Sequence, residues 1–255
     1  GQVYRAIERM HPQDLEVFGD DYRHGQGLAR RFRETNGDYL PGAQVWQVES
    51  DRIVNFIIEE KAKQVKAEKI IIATGARERP VSIPGWTLAG VMAATAADVL
   101  LKSHGMVPDG RIVVAGSGPL LFLTASRLID FGVTVEAVLD TTPWSNYFSA
   151  LPALPAALPG YGYLIKGLRM KQRIRRSGTP IYRNVKNIEA DGANAVETVR
   201  FSSNGTAREL KVDILLLHTG VVPDTQITWQ LECEHAWFSS QRYWKPVVNK
   251  WGDTS

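Results

Sequence analysis

Cysteine is nearly absent from this chain: of 255 residues, only Cys233 carries a thiol. A single cysteine excludes an internal disulfide framework, a four-cysteine metal site and a Cys-x-x-Cys redox pair. A reducing, cytoplasmic setting is the default expectation. Long apolar runs are missing too: no stretch reaches the roughly 18 residues that a membrane-spanning helix needs. The opening "GQVYRAIERM" lacks the basic-then-apolar layout of a secretory signal. Charge of one sign is not in excess either. The formal net charge of +3 is too small to argue for nucleic acid. The histidines (His11, His24, His104, His218, His235) show no metal-ligand spacing, so no metal site is expected. What is present is globular in composition, 44% hydrophobic and 22% charged. The length suits one large domain or two modest ones.

The most informative stretch is "RIVVAGSGPLLF", residues 111–122. A β-branched run leads into a Gly-x-Gly turn and then an apolar helix. In a dinucleotide fold the first glycine permits the tight turn, the second admits the pyrophosphate, and the third lets helix and strand pack closely. Gly116 and Gly118 fit the first two roles, and Pro119 suits a first helical position, where its missing N–H is not needed. The amides at the helix start would face phosphates. Leu121 occupies the third position, where a large side chain should push the helix off the strand or force different packing. Gly132 and a strand over 133–139 follow, and Asp140 ends that strand, placed to accept hydrogen bonds from ribose hydroxyls. On the residues alone three readings stand: a dinucleotide site, a strand-turn-helix without a ligand, or an S-adenosylmethionine site of a methyltransferase.

Elsewhere the pattern predicts a loop and helix over 12–35, broken at Gly25-Gln26-Gly27. Period-two alternation over 43–49 and 52–60, continued by "KQVKAEK", predicts antiparallel strands. "KIIIATG" (69–75) suits a strand buried on both faces of a parallel sheet. "ERPVSIPGW" (78–86) is the best boundary. A helix over 91–105, an irregular segment over 151–162, a basic-faced helix over 163–178, a short strand over 179–184, and strands over 194–203 and 206–220 around Asn204-Gly205 complete the reading.

Two stretches form a matched pair around the Gly-x-Gly unit. "KIIIATGARERPVSIPG" (69–85) and "DILLLHTGVVPDT" (213–225) each carry an apolar run, then Thr-Gly, then a proline-bearing exit. One open sheet has no use for two such exits, which argues against the methyltransferase. With "GQVYRAIE" (1–8), "YLPGAQVWQVE" (39–49), "ATGARERPVSIPGWTLAGVM" (73–92), "AGSGPLLFL" (115–123), "LDTTPWSNY" (139–147), "LHTGVVPDT" (217–225) and "LECEHAWFSSQRYWKP" (231–246), the chain resembles the pyridine nucleotide-disulfide oxidoreductase superfamily. Within it, the likeness is to the FAD subunit of bacterial amino-acid and opine dehydrogenases, including hydrogen cyanide synthase and octopine or nopaline oxidase subunits. In that subfamily the turn reads Gly-x-Gly-Pro-Leu-Leu, so Leu121 is the family residue.

The resemblance implies an α/β chain with two Rossmann-like, FAD/NAD(P)-binding three-layer domains, the second inserted in the first, and an antiparallel meander. The first domain would be incomplete, with 1–87 and 223–255 as its two partial segments and 88–222 as the nucleotide-binding domain. FAD would meet Gly1, Gln2, Thr74 and Gly75. A second nucleotide, NAD(H) or a non-redox ADP or ATP, would meet Gly116, Ser117, Gly118, Pro119, Leu120 and Asp140, with Gly220 at the domain exit. The implied activity is FAD-dependent oxidation of a small-molecule amine, opine or amino acid beside a second, substrate-oxidising subunit. The alternative is a catalytically silent adenine-nucleotide module for regulation or assembly. Neither nucleic acid nor a membrane span is implied, and peripheral membrane association of the complex is left open. Family members start with a strand and Gly-x-Gly-x-x-Gly that grip FAD and continue into an apolar strand and Gly-Asp, which Gly252-Asp253 does not match. A cysteine-rich iron-sulfur segment seen in many members is also absent. The expectation is an internal fragment that alone neither holds FAD tightly nor turns over substrate.

No residue reads as a general base, so catalytic residues stay unassigned; flavin chemistry resides in the cofactor. Cys233 and His235 are expected to be structural. Lys166, Arg169, Lys171, Arg173, Arg175 and Arg176 are expected on a solvated helix face. His218 precedes Thr219-Gly220 at a strand end where ligands gather. Arg77 and Arg79 suit either cofactor phosphate or an interdomain cap.

Overall fold

The computed structural model describes residues 3–254. In chain order come α1 (Pro12–Phe18) and α2 (Asp20–Arg33), then β1 (Gln44–Val48), β2 (Ile53–Ile58), β3 (Lys61–Lys66), β4 (Ala76–Glu78) and β5 (Val91–Ala93). Next are α3 (Ala94–His104), β6 (Ile112–Gly116), α4 (Pro119–Asp130), β7 (Val135–Asp140), α5 (Trp144–Ala150), α6 (Leu154–Ala157) and α7 (Tyr161–Arg176). The chain continues through β8 (Ile181–Arg183), β9 (Val185–Asp191), β10 (Thr198–Ser203), β11 (Thr206–Lys211), β12 (Ile214–His218), β13 (Val221–Pro223), α8 (Gln226–Gln230), β14 (His235–Phe238) and β15 (Tyr243–Pro246). Two compact units emerge. Unit 1 takes the chain up to Gly27 and Glu78–Gly220, and unit 2 takes Leu28–Arg77 and the chain from Val221. These cuts fall at residues other than 87 and 222.

Unit 1 is an α/β sandwich of three layers. Its parallel sheet has the order β5-β12-β6-β7-β8. The strands are apolar at successive positions because both faces are covered. Ile112, Val114, Val138 and Leu216 pack toward the helical layer, against Ala94, Ala97, Leu121, Ala125, Leu128 and Ile174. Val113, Ala115, Ala137, Leu139, Leu215 and Leu217 face the other way, against Val185, Val199, Phe201 and Val212 of the β9–β11 meander and its connections. Asn204 (φ 50°) and Gly205 (φ 83°) both take the left-handed conformation that a two-residue hairpin turn demands.

Helix α1 and the first half of α2 belong to this unit. Phe18 meets Phe131 at 5.5 Å between ring centroids. Beneath it lies a charged cluster: Asp98 of α3 accepts from Lys102 Nζ at 2.7 Å and pairs with Arg127 of α4. The Lys102 side chain is only 4% exposed, and burial pushes its amine below the usual lysine range against the pull of Asp98.

Unit 2 holds the meander β1-β2-β3 and the β14–β15 hairpin. The Val48 amide donates to Gln230 Oε1 of α8 at 3.2 Å. His235 stacks on Trp229 at 3.7 Å, and its ring nitrogens engage Thr228 Oγ1 and the Cys233 carbonyl. It is a packing residue, not half of a dyad with Cys233.

Several expectations are corrected. The 69–75 run joins no sheet among the described residues, and Ile71 is 91% exposed. A continuous apolar run calls for two covered faces, but it cannot supply the covering. Helix α2 continues through Gly25 and Gly27. Gly25 is there for packing, since a Cβ would fall 2.4 Å from the Tyr4 ring. Residues 91–93 are a sheet strand paired with β12, not helix. The proline-bearing 151–160 segment is a chain of short helical turns. β9 has no counterpart among the expected strands. The boundary read at 78–86 stands at its first residue, since unit 2 ends at Arg77 and unit 1 resumes at Glu78; the rest of the stretch is packed within unit 1, where the Ala190 amide donates to the Pro84 carbonyl at 2.9 Å and a Cβ on Gly85 would lie 1.9 Å from the Ala190 oxygen.

Candidate functional site

The turn after β6 is built by two glycines with different tasks. Gly116 has φ 143°, and an added Cβ would lie 1.6 Å from the His218 carbonyl oxygen. It is glycine because β12 passes too close for any side chain. The Ser117 amide donates to that same carbonyl at 2.8 Å, and the Thr141 amide donates to the Gly116 carbonyl at 2.7 Å. Gly118, the residue capping α4, has φ 89° and ψ 176°, a region open only to glycine. A Cβ there would meet nothing within 4 Å. The space before it is open, and no side chain caps the helix. The first-turn amides of α4 therefore have no intrahelical acceptor and lie at the positive end of the helix.

Leu121 does not wedge the helix away. It is fully buried in a core that also holds Ala94, Ala97 and Ala125.

Asp140 stands opposite Gly116 in the β6–β7 register and is 1% exposed. Its Oδ1 accepts from the Thr142 amide at 3.0 Å and its Oδ2 from the Tyr147 hydroxyl at 3.1 Å. Burial, reinforced by the Asp140 charge, holds the Tyr147 phenol above its ordinary pKa. Burial lowers the Lys171 amine, while Asp140 pulls it back up. Lys171 Nζ also lies 4.5 Å from the centre of the Phe122 ring. Sequence reading misses Tyr147, which lies in α5 seven residues after the strand-ending acid, and expects Lys171 on a solvated face, whereas it is partly buried and feels the Asp140 charge. Replacing Tyr147 by phenylalanine removes one of two donors to a buried carboxylate and is expected to lower stability by about 1.5 kcal/mol, read by urea denaturation. An unchanged midpoint would mean the hydroxyl contributes nothing there.

A cavity of about 200 Å³ opens beside Gly116, lined by Ala115, Thr141, Val185, Leu217 and Thr219 among others. Thr219 and Gly220 leave β12 at this end, and the Gly220 carbonyl accepts from the Arg79 amide at 3.0 Å. Gly116–Leu120, Asp140 and Gly220 thus all belong to unit 1, at the carboxyl ends of its strands. Thr74 and Gly75 belong to unit 2. There Thr74 Oγ1 donates to the Asp224 carbonyl at 3.0 Å, the Asp224 amide donates to the Gly75 carbonyl at 2.9 Å, and Arg77 pairs with the Asp224 carboxylate at 2.7 Å. Arg77 is therefore committed to a protein partner. Gly1 and Gln2 lie outside the described residues.

The two units fit the implied cofactors unequally. Unit 1 fits a nucleotide phosphate, because the start of α4 carries no side-chain cap and the space beside Gly118 is open. Among its described residues, unit 2 has no strand-glycine-helix turn to grip FAD pyrophosphate. No group of three His, Cys, Asp or Glu among the described residues could hold a metal, and no helix there is long and apolar enough to cross a membrane. In the basic cluster, Lys166 pairs with Asp21 and Arg173 with Asp130.

Comparison with known proteins agrees in direction. The family model for pyridine nucleotide-disulphide oxidoreductases matches residues 9–255. An opine oxidase subunit of Rhizobium meliloti is 37% identical over the whole chain, which covers 50% of that protein. Hydrogen cyanide synthase subunit HcnB of Pseudomonas aeruginosa is 31% identical over the whole chain, which covers 56% of it. The chain thus spans about half the length of the curated relatives it matches. Among solved structures, L-proline dehydrogenase from P. horikoshii aligns over the whole chain and 41% of its own length, with TM-score 0.60 and 17% identity. Thioredoxin reductase from T. acidophilum aligns over 91% of this chain and 69% of its own, with TM-score 0.56 and 16% identity. At such identities these two speak for the fold alone.

Proposed function

Because the chain belongs to the pyridine nucleotide-disulphide oxidoreductase family, we propose that unit 1 binds an adenine nucleotide across the Gly116–Leu120 turn and Asp140. We further propose that the whole protein is the flavin subunit of a dehydrogenase or oxidase acting on an amine, opine or amino acid. The observation that carries the nucleotide reading is the open face of Gly118 at the uncapped start of α4. The amides of Leu120 and Leu121 would take a phosphate, and Asp140 would receive a ribose hydroxyl in place of the Tyr147 hydroxyl that now covers its Oδ2. A carboxylate there disfavours a 2′-phosphate, so the ligand is NAD(H), ADP or ATP rather than NADP(H). The relatives are named as subunits of an opine oxidase and of a hydrogen cyanide synthase. Those names support the substrate class, and a second, substrate-oxidising subunit is the partner they suggest. FAD, when bound, supplies the two-electron acceptor for such an oxidation; Thr74, Gly75 and the Gly1-Gln2 start are the residues assigned to it by resemblance. A reducing, cytoplasmic setting suits the single free thiol.

Calorimetric titration of the purified chain with ADP, ATP, NADH, NADPH and FAD tests the reading. ADP or NADH is expected to bind saturably at one site, with NADPH weaker. Gly118→Ala is expected to weaken that binding at least tenfold at a stability loss of roughly 1–2 kcal/mol. No binding of any adenine nucleotide would sink the proposal.

A second reading, a catalytically silent nucleotide module, is favoured by one observation: the phosphate cradle lies in unit 1, while the described residues of unit 2 carry none. Substrate-dependent dye reduction by the whole complex, lost when this subunit is omitted but not when Gly118 is substituted, would assign the second site a non-redox role.

A further inference from the structure

At the end of β12 the sequence runs Ile-Leu-Leu-Leu-His. A histidine closing a leucine strand, 2% exposed, is costly unless its ring is satisfied. Its Nδ1 pairs with Glu78 Oε1, across 140 residues of chain. The other Glu78 oxygen accepts from the Thr95 amide at 3.2 Å, in the first turn of α3. The residue capping that helix, Ala93, offers no side chain. Glu78 therefore serves as its acidic cap and ties it to the strand end. The backbone of His218 meanwhile does a second job. His218 and Gly116 are register partners, and the His218 carbonyl receives the Ser117 amide at 2.8 Å, with room at Gly116 for no Cβ.

We propose that Glu78 and His218 are positioning residues for the nucleotide site. The buried pair holds the end of β12, and the His218 carbonyl in turn sets the Gly116–Gly118 turn. A leucine at 218 would continue the apolar strand but leave its end untied to α3, and Glu78 without a counterpart. The imidazole does not reach a ligand; it is buried and committed to Glu78. Its influence passes through its own carbonyl. This proposal rests on the nucleotide reading of the turn.

The test compares His218→Leu, His218→Asn and Glu78→Ala with the wild-type chain, by amide hydrogen exchange at Ser117 and by calorimetric titration with ADP, well below the unfolding temperature. Asparagine keeps a nitrogen donor close to the position of Nδ1. H218L and E78A are expected to speed Ser117 exchange and weaken ADP binding, each at least tenfold, while H218N stays within about threefold of wild type in both. A merely structural pair would lower the melting temperature and leave both readings unmoved. Unchanged Ser117 exchange and ADP affinity in H218L, or H218N as impaired as H218L, would overturn the proposal. Should H218L not fold, E78A carries the same test from the other partner. If the wild-type chain itself binds no ADP, the nucleotide reading fails first, and the positioning role with it. That outcome is distinguishable because it appears before any substitution is made.

Discussion

Gly116→Ala is expected to destabilise unit 1 by on the order of 4 kcal/mol, enough to unfold a domain of ordinary stability. Two costs add. The methyl group would sit 1.6 Å from the His218 oxygen, so β12 must move or the turn must open, a form of overpacking worth about 1–3 kcal/mol. The backbone at φ 143° adds about 1–3 kcal/mol for a residue with a Cβ. Yielding does not help, because the contact is with backbone held by the Ser117 hydrogen bond and by the β6–β12 register. Urea denaturation followed by circular dichroism measures the loss, and a change below about 1 kcal/mol would mean the strand end is far more compliant than its hydrogen bonds indicate. The contrast with Gly118 is diagnostic: there the substitution should weaken binding while costing far less stability than Gly116→Ala.

Asp98→Asn should cost about 3 kcal/mol, as when one partner of a buried ion pair is removed. Asp98 serves two cations at once, Lys102 and Arg127, and the lysine side chain is almost fully enclosed. Neutralising the acid leaves the Lys102 ammonium facing the Phe18 and Tyr22 rings, 5.9 and 5.7 Å away, with Arg127 still beside it. Depriving the lysine of its charge at the same time should restore most of the loss, because an apolar side chain fills the same space without a desolvation cost. Equilibrium unfolding of D98N and of D98N/K102M decides it. If the double variant is no more stable than the single, the cluster is held by packing rather than by charge.

The glycine turn, α4 and both flanking strands are legible in the sequence because each depends on local chemistry: a β-branched run, a residue without Cβ, a proline at a first turn. The β1–β3 meander is legible for the same reason, through its alternation. Lys69–Gly75 is not, because an apolar run records a need for cover without recording what covers it. β9 escapes because its apolar positions, Val185, Ile188 and Ala190, lose strict alternation where its pairing with β10 is irregular. Within the candidate site, the glycines and Asp140 can be picked out by spacing. Tyr147 lies in the short helix that follows Asp140, and Glu78 is distant in sequence from His218. Their pairing is a product of topology, which no local pattern encodes.

Leu121 and its neighbours have a consequence for how such turns diverge. Where a third glycine would stand, a full-sized side chain is fully buried here, in the same core as Ala94 and Ala97 on α3 and Ala125 on α4. Glycine on one helix and alanines around it are two ways of dividing one fixed space between α3, α4 and the sheet. Substitution at any of these four positions therefore depends on what occupies the other three, and the motif is better described as a volume shared by four residues than as three glycines in a row.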